Sequence, residues 1–205
     1  MRLYHHPFSF NARRAVMAAI ELGSPVELVF VDLAQGAQRQ PQFLELNPNH
    51  RVPVLEDDGF ILWESHAIMQ YLADKTPGQT LYPIAIRARA DVNRWLFWCA
   101  HHFSPAVSVL NWEHVIKGLI GLGGPDPGEI KRGETLVSEF AGVLDAHLSG
   151  RDWICGEAPT LADLAIATPL AQIEQARLPV GQLRHLQSWF SRVRDLAAWQ
   201  KTRPA

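Results

Sequence analysis

Residues 47–73 read NPNHRVPVLEDDGFILWESHAIMQYLA and contain a complete β-β-α unit. Val52–Leu55 and Phe60–Trp63 are short apolar runs, and the Asp-Asp-Gly at 57–59 between them is typical of a tight hairpin turn. Ser65–Ala73 follows with apolar residues at helical spacing. This stretch therefore predicts two antiparallel strands followed by a helix.

The residues before this stretch supply the rest of a small α/β domain. Leu3–His5 is a short extended start, Asn11–Leu22 has helical apolar spacing, and Gly23 stands where a helix-ending glycine belongs. Val26–Val31 is apolar enough for a buried strand, and Gln42–Leu46 makes a short helical or irregular crossover. The order predicts a mixed sheet with helices on its faces, roughly the size of thioredoxin.

A change of composition marks the end of this domain. Lys75–Pro83 holds two prolines and a glycine between long periodic segments, which is the composition of a linker. We expect a first domain at 1–76, a linker at 77–86 and an all-helical second domain at 87–205.

The second domain lacks strand patterning and shows apolar residues at helical spacing. Pro169 must kink its helix or end it near Thr168, because proline leaves a helical carbonyl without its donor. The glycine-rich stretch Gly118–Gly128 is expected to be a connector, since it lacks the Lys-Ser/Thr and the preceding strand of a phosphate loop. The predicted helices are Arg87–Phe103, Glu129–Leu148, Leu161 to about Gln175, and Gln182–Val193.

Composition excludes several classes of function. The 205 residues carry 19 basic against 21 acidic side chains, with no long basic run, so nucleic acid is not an expected partner. No membrane span or export signal is recognisable, so no membrane partner is expected. Cys99 and Cys155 lack metal or CxxC spacing, which indicates free thiols and a cytoplasmic location. The histidines at 5–6 and 101–102 are adjacent pairs, which cannot share one face of a helix, so no metal site is expected.

Val52-Pro53 is an unusual entry to a strand, because proline cannot donate to the sheet. A cis peptide bond would turn the chain and leave the main chain of Val52 unpaired, so that an extended peptide could add to it. The alternative is an ordinary trans proline at a strand start.

Glu64-Ser65 opens the following helix. The Ser65 hydroxyl and the first N–H groups of the helix could bind a carboxylate, while Glu64 supplies a charge for an amino group. Together they would hold the head of an amino acid. The alternative is simple helix capping by Ser65.

Ser9 lies in the loop between the first strand and the first helix, and Asn11 follows two residues later. A donor at the positive end of a helix stabilises the charged form of a bound thiol. Ser9 is the candidate and Asn11 the nearby alternative, although a lone serine before a helix is more often a cap.

Together these motifs resemble those of the soluble glutathione transferases, in particular serine-type members of the bacterial, theta and phi-like kind. Ser9–Arg14 is similar to the S-x-x-x-R start of the family's first helix, and Asn47–Pro53 to its N-P-x-x-[KQR]-V-P turn. Glu64-Ser65 is similar to its E-S pair, and Thr160–Asp163 to the capping box of its helical domain. The motifs occur in the family's order along most of the chain.

The resemblance implies a thioredoxin-like domain that holds glutathione as co-substrate, an all-helical domain that forms the electrophile pocket, and a homodimer without a metal. Ser9 would stabilise the glutathione thiolate, and Asn11, where the chain departs from the family pattern, could share or take over that role. Tyr4 lies inside the first strand and is not expected to be the donor.

The resemblance also assigns the peptide contacts. The main chain of Val52, before Pro53, would pair with the cysteinyl part of glutathione, and Glu64 with Ser65 would hold its γ-glutamyl end. Arg51 could reach the glycine carboxylate, for which Gln38 is a weaker candidate.

Aromatic residues at spacings of three and four follow one face of the long helix at 87–103. Core packing is the first explanation, and a hydrophobic pocket wall is the alternative. The pocket candidates are Phe8, Trp98, His102, Phe103 and Trp112.

We therefore expect a glutathione transferase that conjugates the thiolate to small hydrophobic electrophiles. The alternatives are a glutathione-dependent isomerase or dehalogenase on the same scaffold, and a non-catalytic protein that binds glutathione and hydrophobic ligands. A disulfide oxidoreductase is disfavoured, because Ser9 stands where the attacking thiol would be.

Overall fold

The computed structural model describes residues 1–203, which form two compact units. Of the described residues, 1–83 and 195–203 form the first unit, and Ile84–Arg194 forms the second. The predicted fold class, an α/β domain followed by a helical one, is confirmed.

A four-stranded mixed sheet forms the centre of the first unit, in the order β2-β1-β3-β4. β1 pairs in parallel with β2 and antiparallel with β3, and β3 pairs antiparallel with β4. The strands are β1 Arg2–His5, β2 Glu27–Phe30, β3 Val54–Asp57 and β4 Phe60–Trp63. β2 lies at the edge and is largely exposed, because among the strands of residues 1–203 it pairs with β1 alone, so the expectation of a buried strand at 26–31 was wrong.

Helices cover both faces of this sheet. The helices are α1 Phe10–Glu21, a 3-10 turn at Ala37–Arg39, α2 Pro41–Leu46 and α3 Ser65–Lys75. On one face α1 and α3 pack their apolar stripes against Leu3 and Leu55. On the other face Phe43 of α2 packs with Val52 and Val54. Both stripes follow the spacing in the sequence, because one side of each helix must leave water.

The second unit is helical throughout its described secondary structure. α4 Ile86–Trp98, a π-helical turn Cys99–Phe103, α5 Ser104–Asn111, a second π-helical turn Trp112–Ile116 and α6 Lys117–Leu119 follow one another without a break. They are followed by α7 Pro127–His147, α8 Leu161–Ala167 with a 3-10 turn Thr168–Gln172, and α9 Arg184–Asp195. α8 ends before Pro169, as predicted.

The start of α8 is held by a buried polar network. Asp163 accepts hydrogen bonds from the Thr160 N–H and hydroxyl, which completes the predicted capping box. Its other oxygen accepts from the Ile154 N–H at 2.9 Å and the Trp189 indole N–H at 2.8 Å. Asp163 therefore ties α8 to the preceding loop and to α9.

The C-terminal helix α10, Ala197–Lys201, packs against α1. The Arg13 guanidinium lies over the Trp199 ring, and Glu21 accepts a hydrogen bond from the Ala198 N–H. The observed division thus differs from the domain expected at 87–205, because these long-range contacts join the last residues to the first unit. Among the helices of residues 1–203, none is long and apolar enough to cross a membrane.

Candidate functional site

Four chain segments meet at one end of the sheet. The register places Tyr4 opposite Val54, Val54 opposite Trp63, and His5 beside Phe30. The loop after β1, the entry to β3, the turn after β4 and the exit of β2 therefore lie side by side, with neighbouring strands about 4.8 Å apart. The predicted motifs at 9–14, 47–53 and 64–65 are brought together here.

Ser9 is the residue that caps α1. Its hydroxyl oxygen accepts a hydrogen bond from the Ala12 N–H at 3.2 Å, while its carbonyl accepts from the Arg13 N–H at 2.8 Å. The hydroxyl proton has no acceptor among residues 1–203, so it remains available to a ligand. Because that oxygen already accepts from the positive end of a helix, it is a better donor toward an anion.

Asn11 occupies the second position of α1 and is exposed. Its side chain forms no hydrogen bond with any residue of the described chain. The amide could therefore turn toward a ligand, but nothing fixes its direction as the helix cap fixes that of Ser9.

The Val52-Pro53 peptide bond is cis, which is the first of the two alternatives that the sequence left open. Asn47, which is buried, holds the turn before it: its amide N–H donates to the Arg51 carbonyl at 2.8 Å, and its oxygen accepts from the Asn49 N–H at 3.0 Å. The main-chain N–H and carbonyl of Val52 pair with no group in residues 1–203, while its side chain packs in the core. An unpaired strand entry can accept an extended peptide.

α3 begins at Ser65, and Glu64 is the residue before it. Ser65 is 6% exposed, and its hydroxyl forms no hydrogen bond within the described chain, so simple capping by Ser65 does not occur. Glu64 has a φ of 74°, a backbone conformation that is costly for a side chain other than glycine. The first turn of α3 thus keeps donors that a carboxylate can accept from.

Arg51 lies in the turn before Pro53, and Gln38 lies in the 3-10 turn Ala37–Arg39. The Arg51 side chain is exposed and forms no ion pair within residues 1–203. The Gln38 side-chain oxygen is buried without a hydrogen-bond partner. Both side chains are therefore open to a further partner.

Tyr4 is occupied elsewhere. Its hydroxyl donates to Glu56 at 2.9 Å, which lies farther along β3 from the site. Burial and this hydrogen bond raise the pKa of the Tyr4 phenol. Both observations agree with the expectation that Tyr4 is not the donor.

The aromatic pocket candidates differ in their surroundings. Phe103 is 0% exposed and stacks on Trp98 with ring centroids 5.3 Å apart, which is the core packing that the first explanation describes. His102 is exposed beside Phe140, and Trp112 is exposed on the second π-helical turn. In the first unit Phe8 is 60% exposed beside His6.

Asn47 is a residue of this region to which the sequence pattern assigned no role of its own. The Asn-Pro pair marked a turn, but the pattern did not show that the amide would hold the Arg51 carbonyl. The signal in the sequence is the residue type, because asparagine side chains in turns bond to nearby main-chain groups. No cluster of three or more metal-ligating side chains occurs within residues 1–203.

Comparison with known proteins gives one consistent result. The family model described as "Glutathione S-transferase, N-terminal domain" matches residues 1–74, and "Glutathione S-transferase, C-terminal domain" matches residues 112–196. The chain is similar to glutathione S-transferase 3 of Zea mays, at 35% identity over 98% of this chain and 92% of that protein. It is also similar to glutathione S-transferase F10 of Arabidopsis thaliana, at 33% identity over 95% and 93%. A solved theta class glutathione S-transferase from Xanthomonas axonopodis pv. citri, with glutathione bound, superposes with a TM-score of 0.90 at 29% identity, covering 100% of this chain and 97% of that one.

Proposed function

The chain belongs to the glutathione S-transferase family and is a transferase that uses glutathione; we propose that Ser9 stabilises the glutathione thiolate for attack on a small hydrophobic electrophile. One observation carries the assignment to Ser9. Its oxygen accepts from the start of α1, while its proton has no partner in the described chain.

The reaction needs a thiolate, because the protonated thiol is a weak nucleophile. The thiol loses its proton to solvent, and the Ser9 hydroxyl donates a hydrogen bond to the sulfur anion. A hydrogen bond to a charged group contributes about 1.5 to 3 kcal/mol, which corresponds to one or two pKa units. Asn11 adds a second, weaker donor from its exposed position.

The sulfur then attacks the electrophilic carbon. A carbon–sulfur bond forms with the sulfur electron pair, and the leaving group departs with the electrons of the bond that breaks. Holding both reactants together reduces the entropic part of the barrier.

Two segments hold the cysteinyl and γ-glutamyl units of the peptide. The unpaired main chain of Val52, fixed by the Asn47 turn before Pro53, pairs with the cysteinyl unit as an added strand. Glu64 contacts the amino group of the γ-glutamyl end, and Ser65 with the open N–H groups of α3 binds its carboxylate.

The side chains of Arg51 and Gln38 hold the other end of the peptide. Arg51 binds the glycine carboxylate, and Gln38 turns its amide N–H toward the same group. The buried Gln38 side-chain oxygen, which has no hydrogen-bond partner in residues 1–203, is an acceptor and is left for an N–H of the ligand.

The electrophile is held by apolar and aromatic side chains. We propose His102 and Trp112 of the second unit as its contacts, because their rings are exposed. The assignment of Phe8 stays a prediction from the sequence. Trp98 and Phe103 support that wall through their stacked rings rather than by direct contact.

We also propose that the protein is a cytoplasmic homodimer. Both cysteines are buried free thiols, which suits a reducing compartment. Dimerisation rests on family membership and is tested by light scattering of the purified protein, where a monomer would contradict it.

The test of the proposed function is a pH titration of the thiolate absorbance of bound glutathione. Ser9→Ala should raise that pKa by about one to two units and lower kcat about tenfold or more. Asn11→Ala should raise it by less. Ser138→Ala, an exposed serine of α7, is the matched control and should change neither quantity. If neither Ser9→Ala nor Asn11→Ala shifts the titration, the thiolate is stabilised elsewhere.

A further inference from the structure

The side chain of Arg13, in α1, contacts the end of the C-terminal helix. The Arg13 guanidinium donates to the Thr202 hydroxyl at 3.1 Å and to the Trp199 carbonyl at 3.1 Å. It also lies 3.9 Å from the centre of the Trp199 ring. The sequence reports nothing of this, because the partners are more than 180 residues apart.

Arg13 is buried, at 5% exposure, and within residues 1–203 it contacts no carboxylate. Burial, with a smaller contribution from Arg203, lowers the pKa of its guanidinium to about 10, so the side chain is still a cation at neutral pH. A buried cation is costly unless oxygen atoms or an aromatic face surround it. Trp199 and Thr202 supply these partners.

The same residue is joined to Ser9 through its main chain. The Arg13 N–H donates to the Ser9 carbonyl at 2.8 Å and closes the first turn of α1. The adjacent Ala12 N–H donates to the Ser9 hydroxyl oxygen. The first turn of α1 orients the Ser9 hydroxyl, and the side chain of Arg13 anchors that turn to the C-terminal helix.

We propose that Arg13 is a positioning residue, and that Trp199 and Thr202 form an anchor through which the C-terminal helix sets the direction of the Ser9 hydroxyl toward the glutathione sulfur. The proposal rests on the proposed role of Ser9 and extends it. Arginine suits this task because its planar fork reaches two oxygen atoms and stacks on an indole ring, whereas the lysine ammonium does neither as well.

The opposite end of α10 offers a contrast. Glu21, in the last turn of α1, accepts from the Ala198 N–H at 3.0 Å, far along the helix from Ser9. α10 is thus attached near both ends of α1, but only the Arg13 contact adjoins the cap.

Three full-length variants test the proposal. Arg13→Lys keeps the charge and loses the fork, and Thr202→Val removes one acceptor with little change of shape. Tyr71→Phe is the matched control, because it removes a hydrogen bond to Asp57 at the opposite end of the sheet. Each is measured for the pKa of bound glutathione, for kcat and KM with an aromatic halide, and for its unfolding midpoint in urea.

Arg13→Lys should raise the pKa of bound glutathione by about one unit and Thr202→Val by about half a unit, because the donor is less well aligned. In both variants kcat should fall while KM for glutathione changes by less than about twofold, since the peptide contacts are untouched. Tyr71→Phe should lower the unfolding midpoint and leave the thiolate pKa unchanged.

Two outcomes would overturn different claims. If the wild-type pKa is depressed and stays so in both variants while the unfolding midpoint falls, Arg13 is only structural and the inference fails. If wild-type glutathione titrates as it does in free solution, the proposed function itself fails. Should Arg13→Lys not fold, Thr202→Val decides by the same titration.

Discussion

The helix starts at Glu64-Ser65 and at Thr160–Asp163 contain the same two kinds of side chain, a hydroxyl and a carboxylate, and use them in opposite ways. In α8 the Asp163 carboxylate accepts four hydrogen bonds, two of them from Thr160. In α3 the side chains of Glu64 and Ser65 form no hydrogen bond within residues 1–203. Polar groups at a helix start are normally satisfied, so an open start indicates a site where a ligand completes the bonding.

The largest expected effect is a loss of stability at the start of α8, which we call closed because the carboxylate of Asp163 is fully hydrogen-bonded there. Asp163→Ala leaves four buried donors unpaired and should reduce the free energy of unfolding by at least about 3 kcal/mol. Glu64→Ala removes the matched carboxylate at the start of α3. It should change the free energy of unfolding little, because the Glu64 side chain forms no hydrogen bond within residues 1–203. Urea unfolding followed by tryptophan fluorescence measures both. Similar losses in the two variants would remove the distinction between closed and open starts.

The second expected effect concerns Asn47, the buried polar residue that keeps the Val52 entry in place. Asn47→Ala removes the bonds to Arg51 and Asn49 and should cost about 2 kcal/mol of stability and raise KM for glutathione about tenfold. Asn47→Asp keeps the acceptor for Asn49 but sets a buried carboxylate oxygen against the Arg51 carbonyl, so it should raise KM and destabilise the protein by at least as much as Asn47→Ala. An unchanged KM in Asn47→Asp would show that this bond does not position Val52.

The third prediction compares the two hydroxyls. Thr160→Ala should cost about 1 kcal/mol of stability, as expected for a capping residue, and leave KM for glutathione unchanged. Ser65→Ala should not destabilise the protein, because alanine favours the helix and no bond is lost, but it should raise KM about tenfold. Unfolding and steady-state kinetics of the pair measure this. A stability loss in Ser65→Ala equal to that of Thr160→Ala would make Ser65 a structural residue.

Most of the fold was predictable because its signals are local. The β-β-α unit at 52–73, the end of α8 before Pro169 and the Thr160 box follow from spacing, turn chemistry and the missing proline donor. The helix at 104–119 was missed. One π-helical turn, Cys99–Phe103, precedes it and a second, Trp112–Ile116, lies within it; each shifts the helical phase, so the spacing of apolar residues no longer matches one regular helix.

For the candidate site, the sequence marks the motifs but not the contacts that their residues make. The motifs at Ser9, Val52 and Glu64 are short and contiguous, so their sequence alone identifies them. Whether Ser65 caps its helix, and what Arg13 touches, depend on residues distant in sequence that no local pattern specifies. Phe103 shows the same limit, because one stripe of aromatic residues is compatible with both a core and a pocket wall.

The smallest effect is expected at the backbone of Glu64. Its φ of 74° costs a non-glycine residue about 1 to 3 kcal/mol, and glycine would remove that strain. Because glycine also adds about 0.5 to 1 kcal/mol of chain entropy to the unfolded state, Glu64→Gly should stabilise the protein by roughly 1 kcal/mol. It should at the same time weaken glutathione binding, since the carboxylate for the amino group is lost. Glu64→Gln, which keeps the strained backbone, should weaken binding without a gain in stability. If Glu64→Gly has the same free energy of unfolding as the wild type, the backbone at Glu64 is not strained. The open start of α3 then does not destabilise the protein.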